Sequence, residues 1–156
     1  ESMLNGTVKV NGSAGNGAAA AIRGGTVIIE SDAAARVGVS MKGGLILVGG
    51  NCGYMAGFMG QKGTLIVCGD TGAGFADSMY ETVCFVGGEI EEIGTDAIIE
   101  EPTVDEYSFL SSTISLHLPG KIESSGFALD QFKKVISGGK LWNFDSQDWK
   151  TWKGAM

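Results

Sequence analysis

Few residues in this chain could do chemistry, and their spacing excludes most of what they suggest. Gly15-Asn16-Gly17-Ala18-Ala19-Ala20 follows a strand-like run and matches the dinucleotide fingerprint G-x-G-x-x-A, with Glu30 at the end of the next strand. Such a site needs a crossover helix inside a βαβ unit of about 30 residues. Here only Ala18 to Arg23 separate the glycines from the next strand. A second segment, Gly72-Ala73-Gly74-Phe75-Ala76-Asp77, places a carboxylate where a phosphate would have to sit. No G-x-x-x-x-G-K-[ST] loop occurs. Both segments are read as backbone corners.

Metal and nucleophile chemistry fare no better. Cys52, Cys68 and Cys84 are evenly spaced, but no C-x-x-C pair occurs and His117 is the lone histidine. Zinc or iron–sulfur ligation needs about four convergent N or S donors. The cysteines are therefore expected as small buried hydrophobes. A Ser-His-acid triad would need His117, whose neighbours Leu116, Leu118 and Pro119 carry no carboxylate. Glu89, Glu91, Glu92, Glu100 and Glu101 could pair for glycosidic chemistry. They are read instead as a charged rim or partner contact. No catalytic, cofactor-binding or metal-binding residue is assigned, and the isolated chain is expected to have no turnover.

The elements that position these residues are set by a repeat. Gly6-Thr7-Val8 recurs as Gly25-Thr26-Val27, Gly44-Leu45-Ile46 and Gly63-Thr64-Leu65, each 19 residues on. A fifth copy, Thr82-Val83-Cys84-Phe85, is aligned one residue early. Val10, Ile29, Val48, Val67 and then Phe85 fill one column. The small residues Ala19, Gly38, Gly57 and Ala76 fill another, and Ala14, Ala33, Cys52 and Thr71 a third. A fixed short period means stacked units that cannot bury a core alone. Helical repeats need about 33 to 47 residues, so 19 leaves room only for short strands and tight corners. The β-branched Thr-Val-x-Val phrases supply the strands, and 26 glycines supply the corners.

The expected fold is all-β. It is a right-handed single-stranded β-helix of about five coils, by the crossover rule, roughly 24 Å long at about 4.8 Å per coil. Its repeat domain spans residues 4–103, and a helical, Trp-rich extension spans 104–156. Thr103-Val104-Asp105-Glu106 is a capping box. Tyr107, Leu110, Ile114 and His117 follow at helical spacing up to Pro119-Gly120. A second short helix is expected from Phe127 to Ile136. The tail from Lys140 to Met156 holds Trp142, Trp149 and Trp152.

Composition narrows the partners. The chain is 44% hydrophobic and 19% charged, a folded composition. A net charge of -7 argues against nucleic acid and anionic membrane surfaces. No apolar run reaches membrane-span length and no secretory signal is visible, and three scattered cysteines, an odd number, fit a reducing compartment, so a cytoplasmic protein is expected. Alternation along the strands predicts that Lys9, Ile28, Leu47, Ile66 and Cys84 point outward. That strip must be covered. Either the C-terminal extension folds over it or a partner does. The second is favoured, making Ile28, Leu47, Ile66, Trp142, Trp149 and Trp152 the expected partner-binding surface.

The phrase Gly-Gly-x-x-x-x-x-Gly-x-x-Gly, as in Gly43-Gly44-Leu45-Ile46-Leu47-Val48-Gly49-Gly50-Asn51-Cys52-Gly53, resembles the GXGXG-motif β-helix domain. That domain closes the glutamate synthase large subunit and makes up one whole subunit of formylmethanofuran dehydrogenase. The resemblance covers roughly residues 4 to 103. The segments from Gly94 to Thr103 and from Phe132 to Asp145 resemble standalone glutamate-synthase-like versions more than the dehydrogenase subunit. The resemblance implies a brace for catalytic domains that lie elsewhere, and a free domain of this size implies split genes or an excised fragment. The implied partners are glutaminase-type amidotransferase and FMN-binding synthase subunits, which would carry the FMN and the iron–sulfur cluster. Self-association, a formylmethanofuran dehydrogenase component and a self-sufficient carbohydrate-active or sugar-binding solenoid are the alternatives.

Overall fold

A computed structural model describes residues 2–141. Trp142, Trp149 and Trp152 lie outside the described residues. Five strands, β1 (Thr7–Val10), β2 (Thr26–Ile29), β3 (Lys42–Val48), β4 (Lys62–Val67) and β5 (Glu81–Val86), pair in parallel in sequence order. Consecutive strands advance by the repeat, Val8 against Val27, Val27 against Ile46, Ile46 against Leu65. The described residues form a β-solenoid of about four turns with a single α-helix.

The strands close an interior on one face and a second core on the other. Val27, Ile46, Leu65 and Cys84, with Ile29, Val48, Val67 and Val86, fill the solenoid interior. The third repeating column, Ala14, Ala33, Cys52 and Thr71, forms single bridges from coil to coil and continues to Ile90. The small column, Ala19, Gly38, Gly57 and Ala76, has left-handed backbone throughout, with φ between 57° and 73°. Its members also face the packed interior, where a Cβ on Gly38 would lie 2.9 Å from Ile46 Cδ1. Space in the packed interior, more than the left-handed backbone, demands small residues there.

The fifth strand differs from the expectation. Leu65 pairs with Cys84, Ile66 with Phe85 and Val67 with Val86, so the period of 19 is kept and no short coil exists. Thr82 stands where Gly63 stands one coil earlier. The Thr-Val phrase is therefore one position out of line. Cys84 points inward, and Phe85 takes the outer column.

The outer column is closed by the chain itself. The helix α1 (Val104–His117) starts at the expected capping box: Glu106 N donates to Thr103 Oγ1 at 3.2 Å, and Thr103 N donates to Glu106 Oε1 at 3.0 Å. Leu110, Ile114, Leu118 and Phe132 join Ile28, Leu47, Ile66 and Phe85 in one buried cluster. Ile28, Leu47 and Ile66 are 2% exposed or less. This corrects their assignment as an open partner-binding surface, because the C-terminal extension buries them. Each such side chain contributes about 2 kcal/mol on burial. Only Lys9, at the first coil, escapes the cover, and it pairs with Glu30 at 3.8 Å.

The second helix expected from Phe127 to Ile136 does not form. A 3-10 turn at Leu129–Gln131 leads into strand β7 (Lys133–Ser137). That strand inserts antiparallel between β5 and β6 (Ala97–Glu100), giving the order β1-β2-β3-β4-β5-β7-β6. The outer edge of β5 would otherwise leave a row of unpaired backbone groups, and satisfying them outweighs weak local helix preference. Val135 is thereby buried in the interior and Phe132 in the second core. Lys134 Nζ seals the junction to α1 with an ion pair to Glu106 at 3.0 Å.

Candidate functional site

Each residue considered for chemistry now has a place. In the Gly15–Ala20 corner and its continuation, Gly17 N donates to Ala35 O at 2.9 Å, Ala20 N to Gly17 O at 3.1 Å and Ala21 N to Val39 O at 2.9 Å, so these amides are committed within the fold. They are not free to cradle a phosphate. In the corresponding segments the left-handed residues recur at alternate positions, Arg36, Gly38 and Ser40, then Met55, Gly57 and Met59, then Gly74, Ala76 and Ser78. Their N–H groups point alternately to the coil above and the coil below. Arg36 N reaches Tyr54 O, Gly38 N reaches Ala18 O and Ser40 N reaches Phe58 O. Asp77, in the second glycine-rich segment, accepts from Ser78 Oγ at 2.6 Å and Thr95 N at 2.9 Å. Burial works to raise its carboxyl, but these hydrogen bonds prevail and hold it below the usual carboxylate range.

The cysteines are chemically quiet. Burial pushes the Cys52 thiol up to about 12, against a pull from the Gly72 amide. Burial raises Cys68 to about 11, with Lys121 drawing it back. Cys84 is raised by complete burial and by Cys52, and its sulfur lies 3.6 Å from Met79 Sδ. Such thiols stay protonated at neutral pH and are poor nucleophiles. Among the described residues no group of three or more His, Cys, Asp or Glu side chains could hold a metal ion. Glu89, Glu91, Glu92, Glu100 and Glu101 are all exposed at the last coil. No described helix is long and apolar enough to cross a membrane.

The chain matches no family model, no curated protein and no solved structure.

A polar ladder runs along one corner, beyond the columns read from the sequence. Ser13, Asp32, Asn51, Asp70 and Glu89 form a column of period 19. Asn51 N donates to Asp32 Oδ1 at 2.7 Å, Asp70 N to Asn51 Oδ1 at 2.8 Å and Glu89 N to Asp70 Oδ1 at 2.8 Å. Asp32 N reaches Ser13 Oγ at 3.2 Å. Gly50, Gly69 and Gly88 lie against it because a Cβ at any of them would strike the accepting side chain. The shared period of Ser, Asp, Asn, Asp was the readable signal. Beside this corner, the loop after α1 closes a cleft of about 350 Å³ lined by Cys68, Asp70, Lys121, Ser124, Ser125 and Gln131. It offers polar contacts of both signs, without a base aligned on a nucleophile.

The solenoid's first coil presents a different surface. Met3, Val8, Val10, Ile22, Val27 and Ile29 line an apolar concavity of about 260 Å³. It is the interior of the stack seen end-on, uncovered at β1.

Proposed function

We propose that this chain is a non-catalytic structural subunit or domain of a glutamate synthase-like complex. On this reading it braces glutaminase-type amidotransferase and FMN-binding synthase subunits in the cytoplasm, and the FMN and the iron–sulfur cluster belong to those partners. The observation that carries the reading is the close approach of successive coils at the glycines of the repeated phrase. A Cβ at Gly43 or Gly49 would strike Arg23 O or Glu30 O of the preceding coil, and one at Gly44 would lie 2.8 Å from Gly25 O, which gives a physical reason for the glycine pattern on which the resemblance rests. The finer description that goes with it is a right-handed single-stranded β-helix of about five coils, with Trp142, Trp149 and Trp152 of the tail as partner contacts.

The physics of the fold suits such a role. Backbone groups are satisfied from coil to coil along the corners and the polar column is tied by its own ladder. The helix packs its apolar face onto the outer strip. A body cross-linked in this way is stiff, and stiffness is what a spacer between catalytic domains needs. Coexpression with a glutaminase-type amidotransferase and an FMN-binding synthase subunit tests the proposal. The expected result is a stable complex whose glutamine-dependent glutamate formation requires this chain. Full activity without the chain, or no association at micromolar concentrations, would overturn it.

A further inference from the structure

Among the described residues the sheet has two free edges, and they differ. Its order places β1 at one end and β6 at the other. β7 is antiparallel to both β5 and β6, so β6 runs in the same direction as β1 to β5. A β1 strand laid against the free edge of β6 would pair in parallel, as throughout the first five strands. Both edges carry apolar side chains in the open: Leu4 and Val8 are 67% and 49% exposed, and Ile98 and Ile99 are 42% and 50% exposed. Behind β1 lies the uncovered apolar interior. Unpaired edges of this kind are templates for another strand, and a solenoid interior needs a cap at each end.

Charge chooses the partner for each end. Residues 2–24 contain Lys9 and Arg23 and no acid, in a chain of net charge -7. Residues 87–101 contain Glu89, Glu91, Glu92, Asp96, Glu100 and Glu101 and no Lys or Arg. Three lysines of the neighbouring segment temper the acidic end without reversing it. Lys134 is held by Glu106, Lys133 Nζ donates to Gly88 O at 3.0 Å, and Lys140 is exposed. The cationic end is tempered by the long Lys9–Glu30 pair and, in the sequence, by the one acid Glu1. Two cationic ends repel and so do two acidic ones, while opposite ends attract.

We propose that copies of this chain stack head to tail, β1 of one copy pairing in parallel with β6 of the next and the basic first coil meeting the acidic last one. The interface is heterologous, so it builds a row or a ring and does not stop at a two-fold dimer. It does not depend on the assembly role proposed above.

Sedimentation velocity and native mass spectrometry of the pure chain test this, from micromolar to submillimolar concentration. Species beyond the dimer should grow with concentration and fall back between about 0.02 and 0.5 M salt, as screening shortens the Debye length several-fold. Val8→Lys blocks the head and Ile98→Lys blocks the tail, both at exposed positions, with circular dichroism confirming the fold. Each variant alone should be monomeric, with self-association weakened at least about tenfold, the cost of removing roughly 1.4 kcal/mol of contact. Mixed together, the two should form a dimer and nothing larger, because one intact head then meets one intact tail. If either substitution disturbs the fold, Arg23→Glu and Glu100→Lys, both exposed, repeat the mixing test. A wild-type chain that stays monomeric throughout overturns the proposal. So does a dimer abolished by Val8→Lys but unaffected by Ile98→Lys, which would mean two heads meeting.

Discussion

Leu47 separates the two ways of covering the outer strip. Were it waiting for a partner, Leu47→Ala in the isolated chain would remove an exposed side chain and cost within about 0.5 kcal/mol. In the structure Leu47 is fully buried, in one cluster with Leu110, Ile114, Leu118 and Phe132. The substitution deletes three carbons, about 2.4 kcal/mol of transfer free energy. The cavity left under a packed helix adds to that, for a total of about 3 kcal/mol, within the range for buried Leu→Ala changes. Domains of this size are stable by about 5–15 kcal/mol, so the loss is a large fraction. Urea unfolding followed by far-UV circular dichroism measures it. Leu110→Ala should cost a similar amount. The double variant should lose less than the two together, with a coupling of at least about 0.5 kcal/mol. A Leu47→Ala chain of unchanged stability, or strictly additive losses, would refute the placement of α1 over this strip.

Three further outcomes follow from single residues. Gly43→Ala should destabilise well beyond the ~1 kcal/mol of an ordinary unfavourable glycine change, because its Cβ would collide with Arg23 O of the preceding coil; a melting temperature within a degree of wild type contradicts this. Thr82→Val should stabilise by about 1 kcal/mol, since Thr82 Oγ1 is buried with no hydrogen-bond partner and the hydroxyl costs more there than a methyl group; a loss of stability in urea would show the hydroxyl to be satisfied. For pH, Asp77 and Glu106 both have lowered native values: burial opposes this in each, while Ser78 and Thr95 bond to Asp77, and Thr103 and Lys134 hold Glu106. Their contribution is therefore present above the ordinary carboxyl range near pH 4 and is lost as pH falls through the lowered native values; Asp77→Asn should flatten the acid limb of the stability curve, and an unchanged limb contradicts the assignment.

The interior of the solenoid was readable because its cause is local and periodic. Val10, Ile29, Val48 and Val67 share one register, and stacking them needs no information beyond the period. The capping box at Thr103 was readable for the same reason, as its partners stand three residues apart. What failed depended on tertiary context. Phe127, Phe132 and Ile136 are spaced for a helix face, yet the open edges of β5 and β6 recruit Lys133–Ser137 as a strand. In β5, Thr82 replaces the glycine that marks the phrase in earlier strands, so matching on Thr-Val shifted Cys84 and Phe85 by one and exchanged their faces. The apolar outer strip was legible, but its cover was not, because a strip of Ile28, Leu47 and Ile66 has the same sequence whether a helix of its own chain or a partner lies on it. The polar ladder of Asp32, Asn51 and Asp70 shows in the sequence only as a shared period of 19, because its mixed residue types share one geometry and not one identity.

Amide hydrogen exchange on the isolated chain tests the account at its centre, that this protein is a self-closed solenoid whose own helix completes a second core. Protection should be high and similar for the amides of Ile28, Leu47, Ile66 and Phe85 and for those of Leu110 and Ile114 in α1, since strip and helix then open together. Rapid exchange across Val104–His117 while the ladder stays protected would contradict it, and would return the outer strip to a partner.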